Sequence, residues 1–243
     1  QFILNKKKNK FTKKIIFIGP SKWITKCAKD STVTNNFDVK NIPYPINHDK
    51  WFKEDSLDAK NYFIFKNKEK FVLFGAAGGT SDPRKGFDIL IDALFKIKDE
   101  LNFNVVVFGG DKIEKKFKKI NIINIGEINS DRLLRKLYSA CDIFALTSRM
   151  DNLPLTGMEA MACGLPMIGF KTTGINDLIS HKKTGWLANP FSVDELAFGA
   201  KHLLTNDKLL KEMSKNSIQK SISDFDEIKI LNAYKSIYDN LVI

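Results

Sequence analysis

Two carboxylates, Asp151 and Glu159, stand eight positions apart in the otherwise apolar stretch MDNLPLTGMEAMACGLPMIGF, residues 150–170. A carboxylate accepts two hydrogen bonds at once, so each acid suits a vicinal diol. Pro154 fits the first turn of a helix. The pattern predicts a helix running to about Ala162, with Gly164 at its end. Asp151 then lies on the loop before that helix, and Glu159 one to two turns inside it, at ~1.5 Å per residue. The helix N-terminus between them favours negative charge. The arrangement suits sugar hydroxyls at one end, a diphosphate in the middle and ribose hydroxyls at the other. The alternative is a helix cap at Asp151 and a solvated helix acid at Glu159. Met158, Ala160, Met161 and Ala162 make a poor setting for a solvated acid.

A second loop, GAAGGTSDPRKG at residues 75–86, carries complementary chemistry. Its glycines let backbone approach a ligand closely, and Arg84 and Lys85 arrive just before a helical pattern. Backbone N–H groups with a cationic pair suit a diphosphate. The spacing is neither GxGxxG nor a Walker loop, so neither a dinucleotide nor an ATP γ-phosphate is specifically indicated.

The elements that must hold these loops are legible as short apolar runs: 71–74, 105–108, 122–125, 143–146 and 167–170. Amphipathic spacing lies between them, at Phe87, Leu90, Ile91, Leu94 and Ile97, and again at 133, 134, 137 and 138 after a capping Ser130. Ser192-Val193-Asp194-Glu195 is a capping box before another helix, and residues 207–222 and 225–241 predict two more. Short continuous strands alternating with helices predict a doubly wound α/β domain with a parallel sheet covered on both faces. In such sheets ligands bind at the carboxyl ends of the strands. Both loops named above stand there.

The 243 residues suffice for one or two domains. Ile15 to Ile18 predict a strand, Ser21 caps a short helix, and Asn41 to Pro45 an extended connector. Residues 46–69 are polar and irregular. The net charge of +11 is concentrated: residues 1–70 hold 16 Lys against 7 acids, the rest 23 Lys and Arg against 21. Such an excess can favour nucleic acid or an anionic membrane. No aromatic-interleaved basic stripe of the single-strand-binding kind accompanies it, so a solvated face is preferred. Cys27, Cys141 and Cys163 have no metal or CxxC spacing, and His48, His181 and His202 form no ligand pattern. No metal and no cofactor is expected. No apolar run approaches ~18 residues. The charge order near Gln1 is wrong for a secretory signal, so a cytoplasmic chain is expected, one that begins inside a longer protein.

The segment DNLPLTGMEAMACGLPMIGF resembles the E-x7-E segment of glycosyltransferase family 4, retaining enzymes of the GT-B fold. GPSKWITKCAKDS, DPRKGFDIL, YSACDIFALTSRMDNLP, TTGINDLISHKKTGWL and NAYKSIYDNL are similar to further family segments, in the family's order. The GGTSDPRKG and DNLP variants look most like capsule, O-antigen or exopolysaccharide transferases. The resemblance implies that Lys85, with Arg84, binds the donor diphosphate, and that Asp151 contacts the donor sugar. It implies that Glu159 holds the ribose hydroxyls, that backbone at Leu155 and Thr156 approaches the phosphates, and that Glu127 and Ile128 lie near the base. Two departures stand out: Asp151 is one methylene shorter than the usual Glu, and Ala76 stands where the family often has Arg. Backbone at Gly78, Gly79 and Thr80 is expected to substitute.

The resemblance further implies a Rossmann-like nucleotide-sugar domain at 66–225. Residues 1–45 would be a remnant of the acceptor domain, 46–65 a linker, and 226–243 a C-terminal helix packing back toward the missing domain. The donor would be a UDP- or GDP-sugar and the acceptor a saccharide or lipid-linked saccharide. The fragment alone would be inactive, and the intact protein would sit in the cytoplasm or peripherally on the inner membrane face. Against this stand a dehydrogenase or epimerase, which needs a tighter glycine fingerprint, and a nucleic-acid binder, whose basic part would be confined to the linker region. A non-catalytic nucleotide-binding fragment is the more serious rival.

Overall fold

The structure, a computed structural model, describes residues 15–75, 79–110, 113, 117 and 120–241. The continuous apolar runs form strands: β3 (Lys70–Gly75), β4 (Phe103–Phe108), β5 (Ile122–Gly126), β6 (Ile143–Leu146) and β7 (Met167–Phe170). A sixth strand, β8 (Gly185–Ala188), was not expected. Its sequence GWLA is short and led by glycine, which weakens a strand signal. All neighbours pair in parallel, in the order β5-β4-β3-β6-β7-β8. The expected doubly wound sheet is therefore present.

Successive strand residues face opposite sides. Phe71 and Leu73 join one apolar cluster with Leu137, Tyr138, Phe144, Met158 and Met161. Val72 and Phe74 join another with Leu90, Leu94, Ile143, Ile168 and Leu196. The covering helices are α3 (Phe87–Ile97), α4 (Asp131–Ala140), α5 (Leu155–Ala162), α6 (Ile175–Leu178) and α7 (Val193–Leu204), followed by α8 (Asp207–Phe225) and α9 (Glu227–Asp239). Their starts follow the sequence signals. Ser130 Oγ accepts from Leu133 N at 3.3 Å and Ser192 Oγ from Glu195 N at 3.3 Å. The capping box at Ser192 is only half formed, because the Glu195 carboxylate accepts from Asn189 N and Nδ2 instead, each at 2.7 Å.

Ahead of the sheet, β1 (Ile16–Gly19) and β2 (Asp38–Asn41) form a parallel pair joined through α1 (Lys22–Asp30), whose cap Ser21 accepts from Ile24 N. Ile42 of this unit packs with Ile230 and Ile237 of α9. Residues 46–65 differ from the irregular linker expected of them. They contain α2 (Ser56–Tyr62), capped by Asp55 at Leu57 N and Asp58 N. Ile46, Trp51, Ala59 and Phe65 are buried in the same cluster as β3. These anchors follow no single helical or strand period: Trp51 stands beside Phe52, Ala59 lies between Asp58 and Lys60, and Phe65 closes the run Tyr62-Phe63-Ile64-Phe65, so the segment showed no regular element.

Candidate functional site

The order of strand addition reverses at β3: the chain lays β4 and β5 on one side of it, then returns to lay β6, also parallel, on the other. A crevice opens outside the carboxyl ends of strands at such a switch point. The loop after β3 and the loop after β6 border it. Phe74, Gly75, Lys85, Thr147, Ser148, Asp151, Pro154 and Thr156 line one small cleft there.

The β3 loop passes through two 3-10 turns, Gly79–Ser81 and Pro83–Lys85, into α3. Gly86 adopts φ +68°, and a Cβ there would lie 2.1 Å from the Thr147 carbonyl oxygen. Only glycine lets the two loops approach this closely. Thr147 Oγ1 donates toward Lys85 O at 3.1 Å and Gly86 O at 3.0 Å. Lys85, delivered by this packing, donates from Nζ to Asp151 Oδ2 at 2.7 Å. Ser148 Oγ donates to the same oxygen at 3.3 Å. Asp151 Oδ1 accepts from Asn152 N at 3.1 Å, and Thr173 Oγ1 from Asp151 N at 3.3 Å. Asp151 is thus no helix cap. Pro154 holds the cap position of α5 without a side-chain bond.

Glu159 lies one turn further along α5, half-buried against α4. Tyr138 Oη donates to Glu159 Oε2 at 3.0 Å. Burial, the largest influence, pushes the Glu159 carboxyl up to about 7. The Tyr138 hydrogen bond and Lys50 oppose that shift, while Asp131 adds to it. The apolar neighbours read in the sequence mark a helix that is buried on most of its surface. Gly157, Met158, Ala160, Met161 and Ala162 are all buried.

The expected residues do not all converge. Arg84 ion-pairs Asp82 at 2.7 Å and its side chain is 76% exposed. Glu127 is exposed and Ile128 half-buried, both just after β5, two strands from β3. Gly79 and Thr80 are buried; at Gly79 (φ +60°) a Cβ would come within 2.8 Å of Gly110 Cα, on the loop after β4. Gly78 and Ala76 lie outside the described residues. Leu155 and Thr156 open α5, while Gly157 N and Met158 N already bond Pro154 O. Among the described residues no three His, Cys, Asp or Glu side chains gather as a metal site. One Asp-x-Asp spacing occurs, Asp224-Phe225-Asp226, at the α8–α9 junction. There Asp224 pairs with Lys220 at 2.5 Å and Asp226 caps α9 at Lys229 N.

Several partners were not anticipated: Thr147, Ser148, Tyr138 and Thr173. Each is an ordinary apolar-run or loop residue in sequence, and only the fold brings it to Lys85, Asp151 or Glu159. Arg149 is another, bound to Asp88 of α3 at 2.6 Å.

Known proteins give this geometry a context. Residues 58–220 match the family described as Glycosyl transferases group 1. The chain is 25% identical over 213 residues to the N-acetyl-alpha-D-glucosaminyl L-malate synthase of Bacillus anthracis, which covers 85% of this chain and 55% of that protein. It is 28% identical over 163 residues to the N,N'-diacetylbacillosaminyl-diphospho-undecaprenol alpha-1,3-N-acetylgalactosaminyltransferase of Campylobacter jejuni, covering 65% and 42% respectively. In fold it resembles the solved structure of Anabaena HepE in complex with UDP, with a TM-score of 0.78 at 21% identity over 96% of this chain and 65% of that one. The chain spans about half the length of the curated relatives it matches. With the family match covering most of the sheet and both crevice loops, the chain belongs to the glycosyl transferases group 1 family.

Proposed function

We propose that this chain is the donor-binding half of a retaining, family 4 type hexosyltransferase that moves a sugar from a UDP- or GDP-sugar to a saccharide or lipid-linked acceptor. One observation carries the proposal. Lys85 and Asp151, from the two loops that flank the switch point, meet at 2.7 Å, with the half-buried Glu159 one turn inside α5, the helix that follows the Asp151 loop. In this reading the diphosphate takes over the Lys85 ammonium, which frees Asp151 for hydroxyls of the donor sugar. Glu159 accepts from the ribose hydroxyls, and the free amides at the start of α5 face the phosphates. Charge building on the leaving diphosphate is met by Lys85 and by backbone dipoles already in place. The sugar is held by orientation rather than by covalent chemistry. Acceptor groups would come from outside this chain. A peripheral membrane location belongs to the same proposal, as does a role in polysaccharide synthesis. The Campylobacter relative's name specifies a lipid-linked diphosphate substrate.

Calorimetric titration of the purified chain with UDP, GDP, ADP and NAD at fixed salt tests this. One nucleoside diphosphate should bind, and Glu159→Ala should lose a few kcal/mol by leaving hydroxyls without their charged acceptor. Lys85→Ala should weaken UDP or GDP far more than uridine or guanosine. A folded Glu159→Ala variant with unchanged affinity would remove the ribose assignment, and preference for NAD would remove the donor reading altogether.

A further inference from the structure

The Lys85 loop is held from behind by one side chain that faces neither carboxylate. Arg149 N donates to Arg84 O at 2.7 Å. Its guanidinium donates to Pro83 O and, as a fork, to Asp88: Nη1 to Oδ1 at 3.0 Å and Nη2 to Oδ2 at 2.6 Å. Asp88 lies in the first turn of α3, two residues past Gly86. Arg149 therefore brackets Lys85, binding the backbone on its N-terminal side and the helix on its C-terminal side. Thr147 holds the Lys85 and Gly86 carbonyls between those points.

The charges around the pair favour this geometry. The Asp88 carboxyl is held below its ordinary range, chiefly by the hydrogen bond from Arg149. A planar guanidinium matches a carboxylate at two points, which a lysine ammonium cannot do. The loop that must place Lys85 is otherwise short of regular structure: two single 3-10 turns separated by Asp82. Such turns hold their shape poorly without outside ties.

We infer that the Arg149–Asp88 fork is a positioning device that fixes Lys85 for the donor's diphosphate, with neither residue touching the ligand. This rests on the donor-site reading above. Both side chains are partly exposed, so their removal leaves the core intact.

The test is a set of titrations of the full 243-residue chain with UDP and GDP, and with uridine and guanosine. Arg149→Ala and Asp88→Ala should each weaken the bound diphosphate about tenfold, the size of a coupled-pair effect. The matching nucleoside should be unaffected. The exchanged pair, Arg149→Asp with Asp88→Arg, should recover part of the loss. In a Lys85→Ala background, Arg149→Ala should cost nothing further. Equal losses for diphosphate and nucleoside would overturn the inference. So would a full additional loss in the Lys85→Ala background. Wild-type chain that binds UDP and GDP no better than the nucleosides would overturn the donor reading, and the fork's role with it.

Discussion

Glu159 holds its proton to about pH 7 in the folded chain, against an ordinary value of 4.5. Ribose hydroxyls donate hydrogen bonds, so the proposed site needs the carboxylate. Nucleotide affinity should therefore rise as pH climbs through about 7. The groups facing Glu159 are Tyr138 and Asp131 from α4, Lys50 from the segment before α2, and Cys163 at the end of its own helix. Of these, Tyr138 supplies the hydrogen bond that favours the ionised form. Tyr138→Phe should move the binding inflection to higher pH, and Glu159→Gln should abolish it. Stability should move the opposite way. Between 4.5 and about 7 the folded state binds more protons than the unfolded, so this contribution is complete below 4.5 and lost as pH rises through about 7. Urea midpoints of wild type and Glu159→Gln, compared from pH 4 to 8, check the sign. A wild-type midpoint that rises more with pH than the variant's would contradict the burial account.

Helix ends decide what could be read from the sequence at the next scale. α5 and α2 finish with the same hydrogen bonds. After α5, Leu165 N bonds Ala160 O and Gly164 N bonds Met161 O; after α2, Phe65 N bonds Lys60 O and Ile64 N bonds Asn61 O. Both are Schellman endings, which place the residue after the cap in the left-handed region. Gly164 fills that position at φ +69°, and Ile64 fills it at φ +58°. Glycine there announced the end of α5, whereas isoleucine left α2 unannounced. The residue is 90% exposed, so it loses almost no contact on replacement. Ile64→Gly relieves ~1–2 kcal/mol of steric cost against ~0.5–1 kcal/mol of added chain entropy. Thermal or urea unfolding should show a gain of up to about 1 kcal/mol, and a loss of stability would mean that the exposed side chain packs in solution. The same logic separates what was legible in the site. Asp151, Glu159 and Lys85 were visible because acids and a cation stood out against apolar or glycine-rich surroundings. Tyr138 and Arg149 were not, because their roles depend on α4 and α3 lying beside α5 and the β6 loop. Arg84 showed the converse limit: sequence places it beside Lys85, but Asp82 two residues earlier claims its guanidinium.

At the scale of the molecule, the β1–β2 unit touches the crevice rim and α9 at once. Ser21 Oγ donates to Asn152 Oδ1 at 2.6 Å, and Lys22 N donates to Asp177 Oδ2 at 2.7 Å. A Cβ on Gly174 would meet the Asn152 carbonyl oxygen at 1.1 Å, so glycine is required where this rim closes. The other tie is apolar: Ile42, Ile230 and Ile237, all buried. Magnitudes rank the two. A hydrogen bond contributes a net ~1 kcal/mol, whereas truncating a buried isoleucine to alanine costs ~2–5 kcal/mol. Ile230→Ala should therefore loosen β1 and β2 more than Asn152→Ala with Asp177→Ala, which together remove about 2 kcal/mol, read as amide exchange of Phe17, Ile18 and Val39. Equal acceleration in the two variants would mean that the rim contacts carry the unit. Those contacts nonetheless adjoin Asp151 directly, so an occupied crevice should stiffen them. Saturating UDP or GDP should slow exchange at Ile24 and Thr25, whose amides bond Ser21, and should lose that effect in Asn152→Ala. Unchanged protection on nucleotide binding would mean that the crevice and the N-terminal unit respond independently, and that Ser21 only caps α1.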